Sequence, residues 1–125
     1  MALSAFGVVV RHLRENRRFS LRELAQLAGI DHAYIHRLET GEKESPSDET
    51  VGRLIKVLKS GPREAEMLRF LAKHPETDPK LAEYVVKEDP TVDFDIFASA
   101  AGMRHRGARP EPKELIARVR RIVEG

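Results

Sequence analysis

The chain has no cysteine. Disulfides and thiolate zinc sites are therefore excluded, so apolar burial and hydrogen bonding must hold the fold together. Long hydrophobic runs are missing too: the apolar stretch from Ala5 to Val10 is short and stops at Arg11, whereas about 20 apolar residues are needed to cross a bilayer. A soluble, cytoplasmic protein with no signal peptide and no membrane partner is expected. A glycine-rich phosphate loop, a serine nucleophile in an elbow and a cysteine nucleophile are all lacking. The chain is accordingly expected not to be an enzyme and to need no cofactor. Charge of one sign is not in excess either, since 22 basic and 20 acidic side chains leave a formal net charge of +2. Such a balance names no partner.

The charges are nevertheless sorted along the chain. Ten basic and eight acidic residues fall in 1–59, five and nine in 60–95, and seven and three in 96–125, giving a mildly basic head, an acidic middle and a basic tail. At 125 residues the chain is long enough to bury a core. Its apolar spacing is helical wherever it is regular, with no strand, repeat or low-complexity tract, so the fold class is all-α. Phe6, Val9, Val10 and Leu13 predict an opening helix that ends near Asn16. Ser47 caps a helix carrying Val51, Leu54, Ile55 and Leu58, and Gly61-Pro62 starts another with Met67, Leu68, Phe70 and Leu71. Two Asp-Pro pairs, Asp78-Pro79 and Asp89-Pro90, are each suited to ending one helix and opening the next. Leu81, Tyr84, Val85 and Val86 lie between them, and Phe94, Phe97, Ala98 and Ala101 follow in a helix that stops at Gly102. A basic connector from Met103 to Glu111 leads to a last helix, Pro112 to Val123.

The most informative segment is Leu21 to Thr40, LRELAQLAGIDHAYIHRLET. Side chains three and four apart share a helix face, so Leu21, Leu24, Ala25 and Ala28 line one side of a short helix. Ser20 is its N-cap, and Glu23 completes a capping box. Gly29 ends it in a left-handed turn, and a second helix restarts at once behind Asp31. Two helices joined by so short a turn form the helix-turn-helix connection, and Ala25 supplies the small side chain that a steep crossing asks for. With His32 set at zero and about 100° per residue, Ile35 falls at about 300° and Leu38 at about 240°. That fixes the buried side and turns Ala33, His36, Arg37 and Thr40 outward, with His32 at the edge and Tyr34 on the flank. A small, polar, cationic face of this kind is what a helix in the major groove of DNA presents.

With SLRELAQLAG, IDHAYIHRLE, the closing Glu39-Thr40-Gly41 and Pro46 beyond them, the segment resembles the Cro/repressor-type (XRE-family) helix-turn-helix proteins from about Phe6 to Lys59. The resemblance implies a lambda-repressor-like helical bundle that binds double-stranded DNA, with base contacts at His32, Ala33 and Arg37. It also implies phosphate contacts near Ser20, Tyr34 and the loop holding Lys43. One position departs from the family: its frequent DNA-touching glutamine at the start of the leading helix is Leu21 here. Anchoring of that end falls to backbone N–H groups, or to Arg22, Arg17 and Arg18. Glu39 is structural in the family.

The division expected is a DNA-binding head over 1–60 and a small helical domain over 61–125 for dimerisation or regulation. One head covers few base pairs, so such proteins usually pair across a near-palindromic site. A dimeric repressor is the function expected, and the stripe Leu115, Ile116, Val119, Ile122 and Val123 is the candidate seam. The same stripe could instead close a helical bundle over Phe94 and Phe97. An alternative function is an antitoxin or immunity-type autoregulator whose C-terminal half grips a partner protein. His32 and His36 stand at the i, i+4 spacing of two zinc ligands, but without a nearby acid or third ligand no metal is expected. Asp89, Asp93 and Asp95 read as helix-end charges. Clustered cations at Arg104, Arg106 and Arg109 either neutralise phosphates, form a solvated linker or pair with the acidic middle segment.

Overall fold

The computed structural model describes residues 3–42 and 45–124, and among them every regular element is a helix. In order these are α1 (Ala5–Asn16), α2 (Leu21–Ala28), α3 (His32–Thr40), α4 (Asp48–Leu58), α5 (Pro62–Lys73), α6 (Pro79–Lys87), α7 (Phe94–Gly102) and α8 (Pro112–Val123). The fold is all-α, with the helix-turn-helix head that the sequence led us to expect.

Local chemistry sets most helix ends. Ser4 Oγ accepts from the Gly7 N–H at 2.9 Å, Ser47 Oγ from the Thr50 N–H at 3.2 Å and Asp93 Oδ1 from the Ile96 N–H at 2.9 Å, each satisfying a donor the helix leaves orphaned. Asp31 stands at the N-cap of α3 but makes no capping hydrogen bond. The second Asp-Pro pair departs from expectation. Asp89 Oδ1 accepts from the Thr91 N–H in a turn, and α7 opens only after Asp93. The α6–α7 loop is instead pinned from outside: Arg63 of α5 donates to the carbonyls of Asp89 and Val92 at 3.0 and 2.9 Å, and Arg120 of α8 donates to Thr91 Oγ1 at 2.9 Å.

The middle of the molecule is α1. Six consecutive residues, Ala5 through Val10, are buried, because α1 packs on α3 from one side and on α5 and α6 from the other. A helix buried all round carries apolar side chains all round, and AFGVVV is such a run. One apolar cluster therefore runs through the whole chain, from Val9, Leu24 and Ile35 in the first half to Leu81, Phe97 and Leu115 in the second.

Part of the candidate dimer seam lies in that cluster. Leu115, Ile116 and Val119 are buried where α8 packs on α7 and α6, so these three serve the intramolecular role and are not available on the surface to a second copy. Ile122 and Val123, one turn further on, are 72% and 59% exposed.

Two glycines separate packing from propensity. A β-carbon on Gly7 would fall on the carbonyl oxygen of Glu39 and within 2.7 Å of its Cα, whereas one on Gly52 in α4 meets nothing within 4 Å. Gly7→Ala should cost about 1–3 kcal/mol through forced displacement of α1 from α3. Gly52→Ala should gain about 0.5–1 kcal/mol through helix propensity. Urea melts of both variants test this, and a Gly7→Ala chain as stable as the parent would contradict the contact.

Candidate nucleic-acid interface

The geometry of α2, Gly29 and α3 follows from caps and burial together. Ser20 Oγ accepts from the Glu23 N–H and Glu23 Oε1 from the Ser20 N–H, both at 3.0 Å, so the capping box is complete. Gly29 takes φ +68 and Gly41 φ +80, ending α2 and α3 in left-handed turns that any side chain would strain. Leu24, Ala25, Ile35 and Leu38 are buried, and α3 packs on α2 and α1.

That packing leaves a defined outer surface. His32 and His36 are exposed, while Ala33, Tyr34, Arg37 and Thr40 are half-buried on its flanks. The Arg37 guanidinium carbon lies 5.9 Å from the centre of the Tyr34 ring, a cation–π distance that holds the long side chain along the helix rather than free in solvent. Nδ1 of His32 lies 3.9 Å from an Asp31 carboxylate oxygen. Thr40 donates its hydroxyl hydrogen to the Arg37 carbonyl at 3.3 Å, so that donor is turned back on the helix. Arg22 and Ser20 are exposed at the start of α2, and the Ser20 hydroxyl, although its oxygen caps the helix, keeps its hydrogen to donate. Lys43 lies outside the described residues.

Arg17 has a role inside the fold that its position in the sequence did not announce. Its guanidinium donates to the Leu58 carbonyl at 3.0 Å and reaches the Lys59 carbonyl at 3.5 Å, tying off the C-terminus of α4. Arg18 sits at φ +58, a strained setting for a side-chain-bearing residue that reverses the chain between α1 and α2.

Three positioning residues escaped the sequence reading. Gly7 lets α1 lie against the last turn of α3. Arg14 on α1 holds the Glu39 carboxylate with both arms of its fork, at 2.9 and 3.2 Å, and reaches the Phe19 carbonyl at 3.0 Å. Arg53 on α4 donates to the carbonyl of Gly29 at 3.2 Å and to Glu49 at 2.7 Å, bracing the turn itself. Only the last had a signal, the Glu49–Arg53 spacing of four along a helix.

The Arg14–Glu39 pair is almost wholly covered, with side chains 12% and 5% exposed. Glu39→Gln strands a buried guanidinium and should cost about 3 kcal/mol, whereas the paired change Arg14→Met with Glu39→Leu should cost far less. Chemical denaturation of the three chains checks this. A double variant as unstable as the single one would show that the pair's charge is not the point.

A profile of the helix-turn-helix domain matches residues 5–68. Two curated relatives come from Bacillus subtilis (strain 168). An HTH-type transcriptional regulator, RghRB, is 37% identical over 57 residues, 46% of this chain and 41% of that protein. The HTH-type transcriptional repressor RghR is 35% identical over 57 residues, 46% of this chain and 42% of its own length. The chain thus spans less than half the length of either relative. With the profile running through α1 to α4 and into α5, and the capped pair α2 and α3 set at its turn glycine, the chain belongs to the helix-turn-helix domain family in its XRE form.

Proposed function

We propose that the chain is a sequence-specific DNA-binding transcriptional regulator, acting as a dimeric repressor on a near-palindromic operator. The observation that carries this reading is the orientation of α3. Ile35 and Leu38 are buried, while His32 and His36 face solvent with Arg37 beside them, so the helix can enter a major groove without losing its packing. In this reading His32, Ala33 and Arg37 meet base edges, and Ser20, Arg22, Tyr34, His36, Thr40 and Lys43 meet or approach phosphates. One relative is named a repressor, which supports the sign of the regulation. No helix among the described residues is long and apolar enough to cross a membrane, and a cytoplasmic place beside the chromosome suits the role.

The division of labour falls near residue 60: the head, 1–60, reads DNA and the rest, 61–125, pairs two copies or senses a signal. It is a boundary of roles, since one apolar cluster spans both parts. Pairing draws on Ile122 and Val123, the exposed end of the α8 stripe.

Arg37 is the decisive base contact, because its fork can bond a guanine edge at two points, worth about 1–3 kcal/mol of discrimination. Arg37→Ala should weaken binding to a selected operator by about 5- to 150-fold, with a smaller effect on random duplex. Selection of bound fragments from genomic DNA followed by titration gives both numbers. Unchanged operator affinity would refute the register. For the pairing, Ile122→Glu with Val123→Glu should flatten the rise of occupancy of paired half-sites with protein concentration, leaving affinity for a single half-site and the melting intact. A second, different chain that co-purifies at one-to-one and is lost in the same variant would transfer the patch to a partner protein.

A further inference from the structure

The α7–α8 connector holds a cluster of charge that the head does not use. Arg104, His105, Arg106 and Arg109 line a concave surface of about 560 Å³ together with Glu111 at the N-cap of α8 and Glu114 and Arg118 within it. That volume is of the size that takes a small ligand, about 300–1,000 Å³. Gly107 at φ +80 makes the turn that sets Arg109 in the same cleft as Arg104 and Arg106.

The charges in this cleft are incompletely matched. Arg118 pairs with Glu114 at 2.8 Å, and Arg109 lies 3.7 Å from Asp78 at the start of α6. Arg104 and Arg106 have no carboxylate partner among the described residues, and both are exposed. Nε2 of His105, another residue of the lining, is enclosed and lacks a hydrogen-bond partner among the described residues, although a covered polar atom left without one is disfavoured by about 1–3 kcal/mol. Like charges crowded on a concave wall repel one another and raise the local potential for an anion.

We propose that this cleft is a second binding site, for the oxyanions of a phosphate-bearing ligand. Guanidinium forks match phosphate oxygens two by two, and four arginines line this cleft against two glutamates. A phosphate bound between Arg104 and Arg106 neutralises the two cations that the protein leaves unmatched. Those oxyanions can come from a free polyphosphate or from a DNA backbone passing the second half of the molecule. The chemistry is the same for both.

The test uses the full chain and the variant Arg104→Gln with Arg106→Gln, whose side chains are exposed and whose melting should match the parent. Calorimetric titration with inorganic pyrophosphate, against sodium chloride of equal ionic strength, should show saturable binding that weakens at least tenfold in the variant. That result assigns the cleft to a free phosphate compound. In a second arm, binding to random duplex is measured across salt concentrations. A slope of log affinity against log salt reduced by about two in the variant, without pyrophosphate binding, assigns it to the DNA backbone. If pyrophosphate fails to saturate and the slope is unchanged, the site does not exist. Arg37→Ala run beside them should leave pyrophosphate binding untouched, so a failure of the α3 reading and a failure of the cleft give different results.

Discussion

The seating of α1 on the last turn of α3 is the contact from which the remaining geometry follows. Gly7 has no β-carbon, so its backbone comes directly onto Glu39, and two turns further along Arg14 clamps the same residue's carboxylate. A steric fit and a charged pair thus act on one residue from two points along α1. Together they fix both the distance and the rotation of α3, whose outer face is decided by that rotation alone. The charged pair by itself contributes little net stability, because desolvating both partners offsets most of their attraction. Its effect is on geometry: rotating α3 would separate a guanidinium and a carboxylate that are almost wholly covered.

The other side of α1 gives the second half its place. Helices α5 and α6 cover the face that α3 leaves open, and α8 covers α6 in turn. Removing the second half would expose the apolar side chains of α1, so the head depends on α5 and α6 to keep its central helix dry. Such continuity makes unfolding cooperative across both halves. Arg63 and Arg120 extend the same logic by holding the α6–α7 loop from two different helices.

How much of this the sequence disclosed depends on the range of each interaction. Ser20 and Glu23 are three residues apart, Gly29 and Gly41 act through their own backbone, and Ile35 and Leu38 differ by one helical turn. These local rules placed α2, the turn and α3. Gly7 and Glu39, Arg14 and Glu39, and Arg17 and Leu58 are separated by 32, 25 and 41 residues, and nothing in a helical period says that they meet. Arg17 shows what such distances hide: next to a helix start it looks like an anchor for a ligand, and a carbonyl pair far along the chain also engages it. The Asp89-Pro90 pair misled for a different reason. A proline fixes where a helix cannot continue, but the next helix starts where a side chain can cap it, and Asp93 rather than Asp89 does so. The α8 stripe was ambiguous because an apolar face requires cover without saying whose.

The cover α8 has found bears on how two copies can assemble. With Leu115, Ile116 and Val119 enclosed, the apolar end of α8 offers two aliphatic side chains, against about 800 Å² per partner in an ordinary stable interface. Association through that patch alone is expected to be weak in free solution, because lost translational and rotational freedom opposes it. Two heads bound to half-sites about 34 Å apart would change the balance, since each copy then meets the other at an effective concentration that a short tether sets in the millimolar range. A patch too small to pair two free molecules can still couple two bound ones. Occupancy of paired half-sites would then rise more steeply with protein concentration than occupancy of a single half-site, and a small residual apolar surface would confer selectivity for paired sites.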